Sequence, residues 1–487
     1  MKPRVDDKGP ERETPLQVGR VSHQSPTPQT AVRLVSTGGA EREPARSETA
    51  TRSVEAGPPA AAPWYIANSV TPPADVERRR VRYQRRQRSS EWLIRDARQE
   101  AGLPPVAEGV TAKDESWVRP LRPARCRWRV GEVMVHGGEG HAAHFSGTER
   151  CASIWACPVC SAVIRNERSA DIEQAIKAHQ AAGGGLTMVT LTMRHNRGDP
   201  LKVTLDAALT AYRRLMQGRA WSDFKAYNGI VGWVRAVEVT YGENGWHPHI
   251  HALFFTEKPI VERRASEWSS WLYGRWARYV VERGGKMPNR LHGVDVRIAD
   301  RGGLVVGQYL AKIQEKAEKA PTKLAAEMAR FDFKTGRGAG LMPFELLDSE
   351  RWADVDDSDS VAARALWVEY VKATRGRRAI TWSKGLRDRL ALDEELTDEQ
   401  VIEETESAPP LFVIPRRRYD SIKNQPAILT SLLELVEGSF FDEAFALGEG
   451  FIPGELIDRR TGEITPWHGN WRPEPLPPAL ATDRPNP

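Results

Sequence analysis

Two apolar runs, Gly232 to Tyr241 and Trp246 to Phe255, flank Gly242-Glu243-Asn244-Gly245, and no other stretch of the chain constrains its fold as tightly. Asn-Gly between two such runs is the strongest short-range signal for a β-hairpin. The second run begins Trp246-His247-Pro248-His249-Ile250-His251, which sets three imidazoles at alternate positions. Along a strand, residues i, i+2 and i+4 share a face, so the three rings project together. The first run carries Glu238 and Thr240. A turn centred on Glu243-Asn244 sets Glu238 opposite His249; one centred on Asn244-Gly245 sets it opposite His251. Either register puts the carboxylate on the histidine face, because paired cross-strand residues point the same way. Two imidazoles and a carboxylate form a facial set for a divalent cation, open on its far side to water or a substrate oxygen. His249, His251 and Glu238 are the candidate ligands, with His247, nearest the turn, ranked behind them. Pro248 has no N–H to offer a ladder and fits an edge or bulged position. Hydrolases, oxygenases and phosphoryl-transfer enzymes all use such sets, so the triad alone does not name a reaction.

The elements around the hairpin predict an α+β fold. Leu186 to Met193 alternates as a strand does and follows Gly183-Gly184-Gly185. Leu205, Leu209, Tyr212 and Met216 are spaced as on a helix over Thr204 to Gln217. Another helix is expected around Val261 to Arg283, a strand at Val294 to Ile298, and a helix from near Leu304. Strand, helix, hairpin, helix, strand, helix suggests an antiparallel sheet layered with helices.

The chain has 487 residues, enough for about three domains. Residues 1–75 are rich in Pro, Ser, Thr, Glu and Arg and are expected to be disordered. Residues 76–180 hold an Arg-rich segment and all the cysteines, and 181–320 hold the hairpin domain. Residues 321–395 read as a helical extension, and 396–487 as an acidic and helical region with a loose tail. No stretch approaches the roughly 20 apolar residues that cross a bilayer, and the first 40 residues show no apolar signal core. Four cysteines in 487 residues point to a reducing compartment. The net charge of +5 is mild, so a polyanionic partner must be argued from local clusters. One such cluster is Arg78, Arg79, Arg80, Arg82, Arg85, Arg86 and Arg88, seven arginines in eleven positions. It reads as a phosphate-contacting segment or as the solvated face of a helix.

Cys126, Cys151, Cys157 and Cys160 are spaced C-x24-C-x5-C-x2-C. Four thiolates with a tight Cys-x-x-Cys knuckle suit a structural, tetrahedral Zn²⁺. His141 or His144 could replace one thiolate; a redox pair and unligated core cysteines are the rival readings.

Downstream of the hairpin, Tyr309 shares a helical stripe with Lys312 and Lys316. A phenol has a pKa of about 10, so roughly one in a thousand is ionised at pH 7. Neighbouring ammonium groups offset part of that cost.

Taken together, Val189-Thr190-Leu191-Thr192, His249-Ile250-His251-Ala252-Leu253-Phe254 and Tyr309-Leu310-Ala311-Lys312 resemble the HUH endonuclease superfamily. The resemblance is closest to the rolling-circle replication initiators of small bacterial plasmids, which have a Trp-His-Pro-His-x-His motif. It spans roughly residues 120–390, including Gly376-Arg377-Arg378-Ala379-Ile380-Thr381-Trp382-Ser383-Lys384-Gly385-Leu386. It implies a ferredoxin- or RRM-like sheet and a Tyr309 nucleophile that forms a 5′-phosphotyrosine link and releases a 3′-hydroxyl primer. It also implies Lys312 as a positioning group and Mg²⁺ or Mn²⁺ on His249, His251 and Glu238. Some relatives carry a glutamate four residues before the tyrosine; Val305 stands there, with Glu315 and Glu318 as substitutes further along. The implied partners are single-stranded or extruded plasmid origin DNA and a host polymerase in the bacterial cytoplasm. A host helicase is expected because no P-loop sequence occurs; whether two copies associate is open. The rival readings are a transposase or mobilisation relaxase of the same superfamily, and a non-enzymatic zinc-containing DNA-binding regulator. Two-tyrosine transposases need a second phenol near Tyr309, and the nearest in sequence are Tyr279 and Tyr370.

Overall fold

The computed structural model describes residues 73–104, 119–138, 141–299, 341–348, 357–404 and 410–449. Tyr309, Lys312 and Lys316 lie outside these, as do Glu315, Glu318, the helix expected from Leu304 and nearly all of the N-terminal region expected to be disordered.

The main sheet has five strands, β3 (Gly185–Leu191), β4 (Ile230–Gly242), β5 (Gly245–Thr256), β6 (Val294–Ile298) and β7 (Ile380–Trp382). Their order is β6-β3-β5-β4-β7, and every pairing is antiparallel. The turn between β4 and β5 is the two-residue loop Glu243-Asn244, because Gly242 pairs with Gly245. Gly245 takes a positive φ of 83°, and a Cβ there would lie 2.8 Å from the Arg197 backbone. Pro248 pairs in register with Val239. The pairing of β3 with β5 stops at Ile250, so β5 has one neighbour at Pro248 and the missing N–H breaks no second ladder. The fifth strand, β7, is drawn from residues that sequence composition had assigned to a helical extension.

Alternate residues of each strand serve different cores. Leu186, Met188, Leu253 and Phe255 pack with Ile172, Ala175 and Ile176 of helix α2 (Pro158–Ala181). Val189, Leu191, Ile250, Ala252 and Phe254 pack with helices α3 (Leu201–Leu215) and α5 (Glu262–Glu282). On α5 the buried stripe is Trp268, Leu272, Trp276 and Val280, four apart along one face. Each contributes about 1.5–3 kcal/mol by leaving water. The two indoles also satisfy their N–H groups, on Asn228 Oδ1 (2.8 Å) and the Thr192 carbonyl (2.7 Å).

A second sheet, β2-β1-β8, joins β1 (Arg129–Gly138) and β2 (His141–Thr148) to β8 (Pro410–Ile414). Val133, Val135 and Phe145 share a core with Leu429, Leu432, Leu433 and Val436 of helix α10 (Pro426–Glu437). The segment after residue 410 therefore completes a fold begun nearly 300 residues earlier. The Arg-rich segment is a 28-residue helix, α1 (Pro73–Glu100), whose Val76, Tyr83, Trp92 and Leu93 are buried. Among the described residues no helix is long and apolar enough to cross a membrane.

Candidate metal centres and catalytic site

Glu238 pairs directly with His249 across the β4–β5 hairpin, and His251 lies opposite Ala236 two residues further on. The sequence thus reaches one of its two permitted registers, and all three side chains share the face that carries Leu253 and Phe255. The Nε2 atoms of His249 and His251 lie 2.7 and 2.9 Å from the same oxygen, Glu238 Oε2. Glu238 and His251 are each only 6% exposed. One potential ligand atom from each residue lies within 4.8 Å of the others, and no ion is present.

Adjacent ligands of an octahedral cation with bonds of about 2.1 Å stand about 3.0 Å apart. The two nitrogen–oxygen separations match that edge, so the donor set fits a hard or borderline divalent cation without rebuilding the hairpin. Thr190 on the neighbouring strand β3 pairs with His251, and its Oγ1 is 3.2 Å from His251 Nδ1. That contact fixes the ring so that Nε2 faces the carboxylate, a common outer-shell device. Thr190→Val keeps the shape and loses the contact. The half-saturating Mn²⁺ concentration in a binding titration is expected to rise about 10–100-fold, with an unchanged circular dichroism spectrum.

His247 does not join the group. It faces Thr240 across the hairpin and stacks on His195 at 4.7 Å between centroids. Burial, with His249 and His195 adding to it, pushes its pKa down to about 3. His195 itself donates from Nδ1 to the Asn244 carbonyl (2.8 Å), pinning the hairpin tip. No spacing in the sequence singled out His195, since it comes from the loop after β3.

The four cysteines converge as one buried cluster. Their Sγ–Sγ separations include 3.6 Å (Cys157–Cys126), 3.7 Å (Cys126–Cys160) and 3.8 Å (Cys151–Cys160). Zinc–thiolate bonds of about 2.3 Å in a tetrahedron require sulfur edges of about 3.8 Å, so the cluster has the dimensions of a Zn²⁺ site. Cys157 caps α2, accepting from the Cys160 N–H at 3.5 Å with Pro158 in the first turn. Hydrogen bonds from Cys151, Cys157 and Cys160 hold the Cys126 thiol well below its ordinary range. His144 does not belong to the cluster, and the side chain of His141 lies outside the described residues.

Arg127 is buried beside these sulfurs, 5% exposed, and its Nε and one terminal nitrogen have no hydrogen-bond partner. Burial pulls its pKa down, but Tyr83, Cys126 and Cys160 more than offset that, and the guanidinium stays charged. Among the described residues, the groups that hold it charged include no carboxylate.

The arginine run is largely turned inward. Arg79 forks onto Glu437 (2.6 and 2.9 Å), Arg80 onto Glu434 (2.7 and 3.0 Å) and Arg85 onto Asp348 (2.6 and 3.0 Å). Arg86 is 4% exposed and donates to the carbonyls of Cys126 and Lys423. Arg82 reaches the Arg78 carbonyl, Arg88 lies over Trp92, and Arg78 is on the exposed side. An amphipathic reading of charge could not foresee this, because the carboxylates that face α1 lie more than 250 residues away.

Comparison with known proteins adds family information to this geometry. Residues 144–273 match the Rep_1 family model, described as a replication protein. The chain is 35% identical over 301 residues to "Protein rep" of Streptomyces lividans, covering 51% of this chain and 65% of that one. It is 38% identical over 149 residues to a "Neomycin resistance protein" of Streptomyces cyanogenus, covering 26% and 34% respectively. It is 27% identical over 139 residues to "Protein rep" of a Bacillus species, covering 27% and 41%. The chain thus spans less than two thirds of the length of these curated relatives. No solved structure gives a significant match. The matches bear out the resemblance carried by the motifs: residues 144–273 match a replication-protein family, and the chain is similar to proteins named Rep. The matched span contains β3, the hairpin and Glu238, His249 and His251, whereas Tyr309 falls beyond it.

Proposed function

We propose that the protein initiates rolling-circle replication of a plasmid by nicking one strand at the origin, and later rejoins it. The observation that carries this reading is the Glu238–His249–His251 group, set on an antiparallel sheet within a span that matches a replication-protein family. The sheet is compatible with an HUH-type domain. In this reading Tyr309 Oη attacks the scissile phosphorus. A bond from phosphorus to the phenolic oxygen forms as the bond to the 3′-oxygen breaks. The phenol gives up its proton, and the departing oxygen takes one up as a free 3′-hydroxyl. The phosphotyrosine ester is similar in energy to the diester it replaces, so the reverse attack rejoins the strand without a nucleotide. A divalent cation bound by the triad would draw charge from the phosphate oxygens as negative charge builds in the transition state. Glu238, His249 and His251 hold that position, Thr190 orients His251, and Lys312 and Lys316 favour the phenolate. The four cysteines form a structural zinc site that ties the turn before β1 to the start of α2.

The test is a supercoiled plasmid carrying the cognate origin, incubated with Mn²⁺ or Mg²⁺. The wild-type protein is expected to relax it and to remain attached to the 5′ end. Tyr309→Phe is expected to lose both relaxation and the covalent adduct. Normal nicking by that variant would assign the nucleophile elsewhere.

A further inference from the structure

Helices α4 (Arg219–Tyr227) and α5 lie on the face of the main sheet away from the metal-ligand group, and their outer side alternates guanidinium groups with aromatic rings. Arg264 sits 4.5 Å over Tyr227, which is 72% exposed. Arg275 sits 5.0 Å over Trp271 and 5.6 Å from Tyr279, and Arg278 lies 5.8 Å from Tyr279. Trp271 in turn stacks on Phe224 at 4.0 Å with 14° between planes.

Charge on this face is concentrated. Residues 213–229 and 262–290 together hold eleven Lys or Arg against four Asp or Glu, an excess of seven, whereas the whole chain nets +5. Arg275 has no carboxylate partner among the described residues, and Arg263 and Arg264 share a single one, Glu267. A guanidinium held against a ring keeps its planar fork of N–H donors, which suits bidentate contact with phosphate. Arg275 has its Nε buried and donates one terminal N–H to Tyr279 Oη (3.0 Å). The exposed pairs to Glu267 and Glu282 are of the weak, salt-screened kind that a phosphate can displace. Most of the rings are covered by arginines, and of those named only Tyr227 is largely bare, so phosphate contact rather than base stacking dominates. Helix α5, at about 1.5 Å per residue, spans about 30 Å, roughly nine base pairs of duplex.

We propose that this face binds the phosphate backbone of double-stranded DNA, holding duplex on the side of the sheet opposite the nicking site. The partner is recognised by charge and not by sequence. The proposal rests on the reading of the protein as a DNA-nicking initiator, and the test keeps the two apart. Binding of a labelled duplex is followed by fluorescence anisotropy from 50 to 300 mM salt for the wild type and for the R264Q/R275Q/R278Q triple variant. A second variant, R213Q/R214Q/R283Q, changes exposed positions at the margin of the same face and guards against a folding defect in the first. Each contacted phosphate contributes about 0.9 to the slope of log affinity against log salt, so three lost contacts are expected to lower it by about 2.7. Affinity at 100 mM salt is expected to fall at least about tenfold. Metal-dependent cleavage of a preformed single-stranded origin oligonucleotide is expected to be unchanged in both variants. If the wild type nicks but both variants bind duplex with the full salt slope, this surface is not the duplex site, while the functional reading survives. A wild type that neither nicks nor binds duplex overturns both.

Discussion

Glu238→Gln is expected to abolish the proposed divalent-ion-dependent nicking at micromolar Mn²⁺ while leaving the fold intact. The substitution keeps the size and planarity of the side chain and removes its charge. Glu238 Oε2 is the one atom that both His249 Nε2 and His251 Nε2 approach, at 2.7 and 2.9 Å, so it is the anionic corner of the set. A neutral amide is a poor ligand for a hard cation, and breaking a buried charged pairing costs about 3–5 kcal/mol. At 1.36 kcal/mol per decade, divalent-ion affinity is expected to fall by about 10²–10⁴-fold. Calorimetric titration with Mn²⁺ measures this directly, and excess Mn²⁺ should restore part of the nicking rate. Unaltered Mn²⁺ affinity would remove the triad from the metal-binding role and the proposed chemistry with it. His251→Ala is expected to behave alike. His247→Ala should bind Mn²⁺ nearly as the wild type does, since His247 stacks on His195 outside the group.

The Glu238–His249–His251 group was legible because its cause is local. A period of two residues and one short turn fix which side chains share a face, and only the choice between two registers needed the third dimension. The strands at 185–191 and 294–298 and the helix at 262–282 were legible for the same reason: their apolar periods are strong and their ends are punctuated. The second sheet was not. Its strands β1 and β8 come from either end of the chain, and β1 is rich in glycine and polar residues, so nothing short-range announces the pairing. The arginine helix shows the same limit from the electrostatic side. Seven arginines in eleven residues resemble a phosphate-binding arm until Glu434, Glu437 and Asp348 arrive from the distant chain to meet three of them. The cationic face on α4 and α5 is spread over two helices and a loop, with no run of arginines to mark it.

Cys157→Ser is expected to cost more stability than any other single change considered. The cluster joins the turn at Cys126, the segment after β2 at Cys151 and the first turn of α2 at Cys157 and Cys160, three pieces of backbone that also meet through Arg125–Glu149 and a shared apolar core. Binding free energies of structural zinc sites are about 10–16 kcal/mol in small domains, comparable with the entire stability of a typical one. Chelation or loss of Cys157 should therefore unfold the region around the cluster. Limited proteolysis should cut between residues 119 and 160 first, because the main sheet keeps on its other face a core that contains none of the cysteines. Metal analysis should find one zinc per chain, and all four thiols should react with a thiol reagent only after chelation. Arg127 sharpens the test. Its buried guanidinium has a charge that no carboxylate among the described residues balances, whereas zinc with four thiolates would carry two negative charges beside it. Removing the charge in Arg127→Met should destabilise the zinc-loaded protein, because the dianion loses its counter-ion. The same substitution in metal-free protein should be neutral or stabilising, since it then relieves an unbalanced buried cation. The difference between the two states is a coupling of about 1–3 kcal/mol, measurable by denaturant titration with and without chelator. Equal effects in both states, or a melt indifferent to chelator, would mean that the sulfurs are packed thiols and that Arg127 answers to something else.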